Sequence, residues 1–146
     1  MSLCQLSDVK TYLGISTTTT DVSLQALVNS VSAFIERYCA RTFLQGTYTE
    51  VRNGNNAQAI VLRNTPIVSV SSLIIDLKPI PAAIGQAFGY VFDESMVYLR
   101  ESMRSGMVYP LTFSRGVQNI QIGYIAGFAV IPADIVQACV ELVAYK

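Results

Sequence analysis

The sequence contains no histidine and no tryptophan, and only 14% of its 146 residues are charged. Histidine is the commonest general base and a frequent metal ligand, so its absence removes the usual centre of both kinds of site. Ordinary soluble domains carry about 25% charged residues. A chain with so little charge has an unusually apolar surface, which favours a protein that is covered by other subunits or partners.

The chain also lacks a long apolar run. No stretch approaches about 18 apolar residues, the length that spans a bilayer, because polar residues, glycine or proline interrupt each one. The first ten residues lack the basic start and apolar core of a signal peptide. We therefore expect no membrane association and synthesis in the cytoplasm, and the low charge indicates assembly with other proteins.

No cluster of basic residues is present. Ten basic and ten acidic residues balance to a net charge of zero, and the basic ones form no run. Strong binding of nucleic acid requires clustered cations that displace phosphate counterions. The sequence therefore predicts no tight, direct binding of DNA.

The cysteines show no metal or redox motif. Cys4, Cys39 and Cys139 lie far apart and form no CxxC pair, so neither a zinc site nor a redox site is indicated. Cys39 and Cys139 adjoin apolar helical stripes, where free thiols are commonly buried. We interpret both as core residues.

Candidate catalytic residues are few. The only adjacent carboxylates, Asp93 and Glu94, suit acid–base chemistry or a hard cation in principle, but their place between two strand-like segments favours a solvated turn. Ser114 precedes Arg115 and Gly116 in a possible nucleophile turn, without a base beside it in the sequence. We expect no enzymatic activity, no metal and no cofactor.

Helical periodicity predicts three helices, at about residues 7–14, 21–40 and 132–146. Ser7 and Asp21 suit the N-terminal caps of the first two helices, Gly14 ends the first, and Pro132 fits the first turn of the last. The second helix has an apolar stripe at Leu24, Leu27, Val28, Val31, Phe34, Ile35 and Tyr38. The last has its stripe at Ile135, Val136, Cys139, Val140, Leu142 and Val143.

The opposite face of the second helix is polar but nearly uncharged. It carries Ser23, Gln25, Asn29, Ser30 and Ser32. A solvated helix face usually has more lysine and glutamate, so this helix is expected to be covered on more than one side. We take Ser23, Asn29 and Ser30 as candidate subunit contacts.

Alternation of apolar and polar residues predicts a β module over about residues 47–125 with about six strands. These are Thr47–Arg52, Ala59–Leu62, Ile67–Ile75, Met96–Arg100, Met107–Phe113 and Val117–Ile125. The first two flank a turn at Asn53–Asn56, whose Asn-Gly pair tolerates positive φ, and a hairpin turn is predicted at Ser105 and Gly106. The order indicates one α+β domain, 1–146, in which N- and C-terminal helices pack together around an inserted antiparallel β module.

Residues 76–90 form a long segment with two prolines and two glycines but little charge. Most connections have about two to six residues, and longer ones are usually functional or flexible. We predict a contact role here for Ile80, Ile84, Phe88 and Tyr90.

Several segments together resemble the phage head–tail connector (adaptor) family. Leu6–Gly14 is similar to the opening helix of that family, and Ile35-Glu36-Arg37-Tyr38 followed by Arg41 and Phe43 resembles the end of its second helix. Pro66–Val70 is similar to a family strand. Tyr124–Phe128 followed by Ile131–Ile135 resembles the approach to the last helix. The order and spacing of these segments across the chain carry the resemblance.

The resemblance implies a structural virion or prophage protein. Such adaptors form a homo-oligomeric ring beneath the portal, extend the DNA channel and receive a stopper or tail-completion protein. DNA would pass through the ring without specific binding, and the free protein would be monomeric in some members. The protein would be made in the bacterial cytoplasm and act in the virion neck, with Tyr145 and Lys146 free to reach the portal.

Two alternatives remain from the sequence. One is a small ligand-binding or enzymatic α+β domain that uses Asp93, Glu94 and residues 76–90. The other is a different neck or tail-completion protein with a similar helix-flanked sheet.

Overall fold

The structure is a computed structural model that describes residues 2–100 and 112–146. It has two compact units. One combines the described part of residues 1–44 with residues 128–146, and the other comprises the described part of residues 45–127. Three helices and seven strands occur in the described residues, so the α+β class predicted from the sequence is confirmed. Five of these strands were predicted, and the two at Lys78–Pro79 and Gly89–Phe92 were not.

The three predicted helices are confirmed. They are α1 (Leu6–Leu13), α2 (Asp21–Tyr38) and α3 (Ala133–Tyr145). Their apolar sides share one core, as the sequence predicts for the N- and C-terminal helices. The buried members of this helical core are Leu3, Cys4, Val9, Leu24, Val28, Val31, Phe43, Cys139, Val140 and Val143.

The buried stripe of α2 differs from the predicted one at three residues. Phe34 and Tyr38 were expected inside, but they are 51% and 82% exposed. Ser32 was expected on the polar face, but it is fully buried. Its hydroxyl group donates to Val28 O at 2.7 Å and accepts from Leu3 N at 2.9 Å. Burial of Ser32 is tolerated because both hydrogen-bonding functions of its oxygen are used.

The helix starts also differ from the predicted caps. Gln5, not Ser7, precedes α1, and its backbone N–H donates to the Asp8 carboxylate at 3.0 Å. Thr20 precedes α2, so Asp21 is a helical residue; its carboxylate instead binds Lys10 Nζ at 2.7 Å. Gly14 ends α1 with a φ of 68°, as predicted.

The other unit contains two antiparallel sheets. The strands are β1 (Gly46–Gly54), β2 (Ala59–Val61), β3 (Ile67–Ile75), β4 (Lys78–Pro79), β5 (Gly89–Phe92), β6 (Met96–Arg100) and β7 (Gly116–Ala126). The four-stranded sheet has the order β1-β7-β3-β4, and the three-stranded sheet has the order β2-β6-β5.

The two sheets enclose one apolar core. In β7, Ile120, Ile122 and Tyr124 are fully buried, which confirms the alternation seen in the sequence. The Tyr124 hydroxyl group donates to Glu50 Oε1 and accepts from Asn64 N at 3.3 Å. Burial, followed by the hydrogen bond to Glu50, raises the pKa of Tyr124 to about 12. The core therefore contains one polar network whose members are bonded to each other.

The strand pairing differs from the sequence-based expectation. Asn53–Asn56 does not join a hairpin, because β1 pairs with β7 whereas β2 pairs with β6. Gly54 ends β1 without a positive φ. The predicted strand Met107–Phe113 and its turn lie mostly outside the described residues; Thr112 and Phe113 are described but are not in a strand.

Residues 76–90 are more ordered than a simple loop. Asp76 and Leu77, with φ of 49° and 65°, form the turn between β3 and β4. Tyr90 belongs to β5 and pairs with Leu99 of β6. None of the helices in the described part of the chain has the length and apolarity needed to cross a membrane.

Candidate functional site

The most unusual surface of the helical unit is the solvent-facing side of α2. Only one of its residues, Arg37, is charged, although the surface runs along the whole helix. An exposed helix face normally carries several charges. We call this surface the α2 outer face; its members are Val22, Ser23, Ala26, Asn29, Ser30, Ala33, Phe34, Arg37 and Tyr38.

Two aromatic side chains enlarge the apolar part of this face. Phe34 and Tyr38 stack on each other with ring centroids 6.1 Å apart, and Val22 at the other end of the helix is 85% exposed. Large exposed apolar groups arranged in one patch indicate a binding surface more often than isolated ones do. The predicted contact residues Ser23, Asn29 and Ser30 lie between these two ends.

The predicted contact residues of the β unit have different environments. Ile84 is 84% exposed. Phe88 is half-buried, and half-buried Ile80 packs against the core between the sheets. Tyr90 is buried and its hydroxyl group donates to Val70 O at 3.0 Å. We therefore assign Tyr90 to the core and do not retain it as a contact residue.

A second apolar surface, which the sequence did not indicate, is a groove between α1 and the start of α3. It has a volume of about 660 Å³. Tyr12 and Val130 on its walls are 54% and 83% exposed, and half-buried Val136 lies in it. At the other end of α3, Tyr145 and Lys146 are exposed. The helical unit thus has two separate surfaces that suit protein partners.

The Asp93 carboxylate stabilises the hairpin between β5 and β6 by accepting hydrogen bonds. Its Oδ1 accepts from the backbone N–H groups of Ser95 and Met96, each at 2.8 Å, and Oδ2 accepts from the Tyr98 hydroxyl group at 2.7 Å. The Ser95 backbone bond, then the Tyr98 and Met96 bonds, lower the pKa of Asp93 to about 2. A carboxylate that already accepts several hydrogen bonds is a poor general base. Asp93 and Glu94 are both exposed between the two strands, so their interpretation as a solvated turn is confirmed.

The structure supplies Ser114 with a carboxylate that the sequence did not reveal. The Ser114 hydroxyl group donates to Asp76 Oδ2, and Asn119 Nδ2 donates to Asp76 Oδ1 at 3.1 Å. The hydrogen bond from Ser114 and then that from Asn119 lower the pKa of Asp76. A carboxylate with a lowered pKa is a weak proton acceptor, so Asp76 does not activate the Ser114 hydroxyl group as a nucleophile. The hydrogen bonds instead hold the turn between β3 and β4 against β7.

The cysteines are placed differently from the expectation. Cys39 is exposed, which contradicts its assignment to the core, whereas Cys139 is buried as predicted. Cys4 is also buried, and its sulfur lies 3.1 Å from that of Cys139. Within the residues that the structure describes, no three acidic or cysteine side chains come together in a group that could hold a metal ion.

The sequence also matches a family model. The model of the head completion protein family (HCP) matches residues 2–146. The chain belongs to the head completion protein family. This membership confirms the head–tail connector resemblance seen in the sequence and identifies the chain as a structural protein.

Solved structures with the same fold come from gene transfer agent (GTA) particles. A chain in the neck of an empty GTA particle, determined with C6 symmetry, has a TM-score of 0.61 and 17% identity, covering 98% of this chain and 77% of that one. A chain in the virion of a native GTA particle gives a TM-score of 0.60 with the same identity and coverages. A chain in the native neck, determined with C12 symmetry, gives 0.55, 17% identity and coverages of 96% and 74%. Proteins of curated function give no significant match.

Proposed function

We propose that this head completion family member forms a homo-oligomeric ring on the portal in the virion neck. The ring extends the DNA channel and receives the stopper or tail-completion protein, after synthesis of the subunit in the cytoplasm of the bacterial host. Family membership and the neck chains that share the fold support this proposal. The observation that carries it is the α2 outer face, which combines very little charge with two exposed aromatic side chains, an unusual composition for a surface that stays in water.

The α2 outer face suits contact between neighbouring subunits in the ring. Serine, alanine and asparagine are small, so two surfaces can approach closely there. Phe34 and Tyr38 supply the aromatic area that is enriched at interface centres. The nearly uncharged face avoids the desolvation cost of burying ions when it is covered. In the β unit, exposed Ile84 and half-buried Phe88 are proposed as further contacts.

The end of α3 is proposed to contact the portal. Tyr145 is 90% exposed although it is a large aromatic residue. Lys146 follows it at the exposed end of the chain described here. Tyrosine is one of the residue types enriched among the hot spots of protein interfaces.

Charge introduced on the α2 outer face is expected to prevent ring assembly. In the Asn29→Arg/Ser30→Arg variant, assembly would bury two unpaired guanidinium groups, so subunit association should weaken at least tenfold. Mass photometry of the protein alone and with purified portal measures this directly. The unchanged protein should add a ring to the portal, whereas the variant should remain unbound.

Ser16→Arg/Thr17→Arg is the matched control, because Ser16 and Thr17 are exposed and lie in the link between α1 and α2, outside this face. It adds the same two positive charges to the same unit and should leave assembly intact. Circular dichroism should show all three proteins equally folded. Equal ring assembly by the Asn29→Arg/Ser30→Arg variant and the control would reject the α2 outer face as the subunit interface. Failure of the unchanged protein to bind portal would reject the connector role.

DNA is proposed to pass through the ring without being held. The net charge is zero, and the Arg100 guanidinium group already donates to Gly85 O. Fluorescence anisotropy with a labelled duplex should therefore give a dissociation constant no tighter than about micromolar at physiological salt, the range of ordinary non-specific binding. Tighter binding that is lost in Arg115→Ala would show that the ring grips the duplex.

A further inference from the structure

The helical unit holds two thiols in contact that are far apart in the sequence. The Sγ atoms of Cys4 and Cys139 lie 3.1 Å apart, and the two residues are 4% and 0% exposed. A disulfide bond is about 2.05 Å long. The two sulfurs thus need to approach by only about 1 Å to form one, and no other cysteine side chain is recorded against either of them in the described residues.

Ser32 fixes the N-terminal segment in the position that creates this contact. Its hydroxyl oxygen accepts from the backbone N–H group of Leu3 at 2.9 Å, next to Cys4, and lies 3.7 Å from the Cys139 sulfur. The same hydroxyl group donates to Val28 O at 2.7 Å, so its position is set by α2. Ser32 therefore aligns the segment before α1 with the middle of α3, and the contact between the thiols is part of the packed core.

We propose that Cys4 and Cys139 form an intramolecular disulfide bond when the protein meets an oxidising medium. The bond links the segment before α1 to α3 and so fastens the N-terminal part of the chain to the last helix. Cys39 takes no part in it, because Cys39 lies exposed at the end of α2 and outside the contact between these two sulfurs. The disulfide bond stabilises the helical unit and has no catalytic role.

The oxidant is a small-molecule disulfide such as glutathione disulfide. The thiolate of one cysteine attacks a sulfur of the oxidant, its S–S bond breaks, and one glutathione thiolate leaves. The thiolate of the second cysteine then attacks the protein sulfur of this mixed disulfide, and the second glutathione thiolate leaves. The two protons lost by the cysteines go to the two departing thiolates. Two thiols and one glutathione disulfide thus give one protein disulfide and two glutathione molecules.

Burial makes this reaction slow while the unit stays closed. Burial, with a smaller effect of the neighbouring Cys139 thiol, raises the pKa of Cys4 to about 12. Since the thiolate is the attacking species, very little of Cys4 is reactive at neutral pH. Oxidation then proceeds through brief release of the Leu3–Cys4 segment from Ser32. The two thiols therefore stay reduced in a reducing cell, and they form the disulfide bond only during a longer exposure to an oxidising medium outside it.

The timing of this step rests on the proposed function. The cytoplasm keeps thiols reduced, whereas a particle released from the cell enters an oxidising medium. A neck subunit would thus assemble with free thiols and gain the bond after release. A long closed loop strengthens the effect, because a cross-link between residues distant in sequence most restricts the unfolded chain.

Thiol counting on the purified chain tests the proposal. The Cys39→Ser variant is equilibrated with glutathione disulfide, freed of the oxidant, unfolded in guanidinium chloride at a mildly alkaline pH with excess iodoacetamide, which alkylates thiolates, and weighed intact. We expect no alkylated cysteine and a mass lower by two hydrogen atoms than that of the reduced, unalkylated chain. A sample kept in dithiothreitol should carry an alkyl group on both remaining cysteines. The oxidised sample should also melt roughly 10 °C higher than the reduced one.

Cys4→Ala and Cys139→Ala in the same background are the controls, and both should melt at the same temperature with and without glutathione disulfide. Two alkylated cysteines in the oxidised Cys39→Ser sample, after an exposure long enough to oxidise the unfolded chain, would overturn the proposal. Glutathione adducts without the internal bond would overturn it as well. Because this test uses the isolated chain, its result does not depend on ring assembly, and either proposal can fail without the other.

Discussion

Replacing Val28 with aspartate is expected to unfold the helical unit. Val28 is fully buried in the middle of α2 and belongs to the core that also contains Cys139 and Val140. An aspartate there would place a carboxylate among apolar side chains without a partner, at a cost of several kcal/mol. Domains of this size are stable by about 5–15 kcal/mol in total. We therefore expect most of the helical circular dichroism to be lost at room temperature, together with the cooperative thermal transition of this unit.

The matched control is Asn29→Asp, one residue further along the same helix. Asn29 is exposed, so the new carboxylate stays hydrated and the change should shift stability by less than about 0.5 kcal/mol. The comparison separates the effect of burial from that of a charge in α2. If Val28→Asp melts at the temperature of Asn29→Asp, the placement of the buried side of α2 is wrong.

Gly54→Ala is expected to destabilise the β unit strongly. A Cβ atom at Gly54 would lie 1.7 Å from Ser114 O and 2.7 Å from Ser114 C. These are backbone atoms, so no side-chain rotation relieves the overlap, and β1 or the segment at Ser114 must move. The backbone N–H group of Gly54 also donates to Asn119 Oδ1 at 2.9 Å, which a shift would break. Overpacking typically costs about 1–3 kcal/mol and occasionally more, and we expect this overlap with backbone atoms to lie at the upper end of that range, measurable as a lower urea midpoint.

Gly14→Ala provides the comparison for the loss of glycine itself. Gly14 has a φ of 68° and open space around the position of a Cβ atom. Its replacement therefore adds only the strain of a left-handed alanine, about 1–2 kcal/mol. A smaller loss for Gly54→Ala than for Gly14→Ala would show that β1 and Ser114 are further apart than the structure places them.

Local patterns were enough to predict most of the secondary structure. The alternation in β7, the β-branched run of β3 and the periodicity of α3 each lie in one continuous segment, so their signals do not depend on distant residues. Gly14 marks the end of α1 as expected. The low charge of the α2 outer face was also visible in the sequence, because composition is a property of the residues alone.

Strand pairing and the exact buried side of α2 required the tertiary structure. The residues between β1 and β2 look like a hairpin turn, but sequence proximity does not decide which strand supplies the hydrogen-bond partners. In α2, a wide set of apolar positions fits two neighbouring orientations of the helix. The helix adopts the orientation that buries Ser32, because Leu3 and Val28 satisfy the hydrogen bonds of its hydroxyl group. In this orientation Phe34 and Tyr38 face outward.

The sequence by itself determined the class of the fold, the order of its elements and a helix face that carries almost no charge. It also limited the chemistry, because a chain without histidine and with scattered carboxylates has few ways to build an active site. Only the tertiary structure decided which distant groups meet: Cys4 with Cys139, Asp76 with Ser114, and Glu50 with Tyr124. These contacts join residues separated by tens of positions, and they depend on how whole elements pack, which no local pattern of side chains encodes.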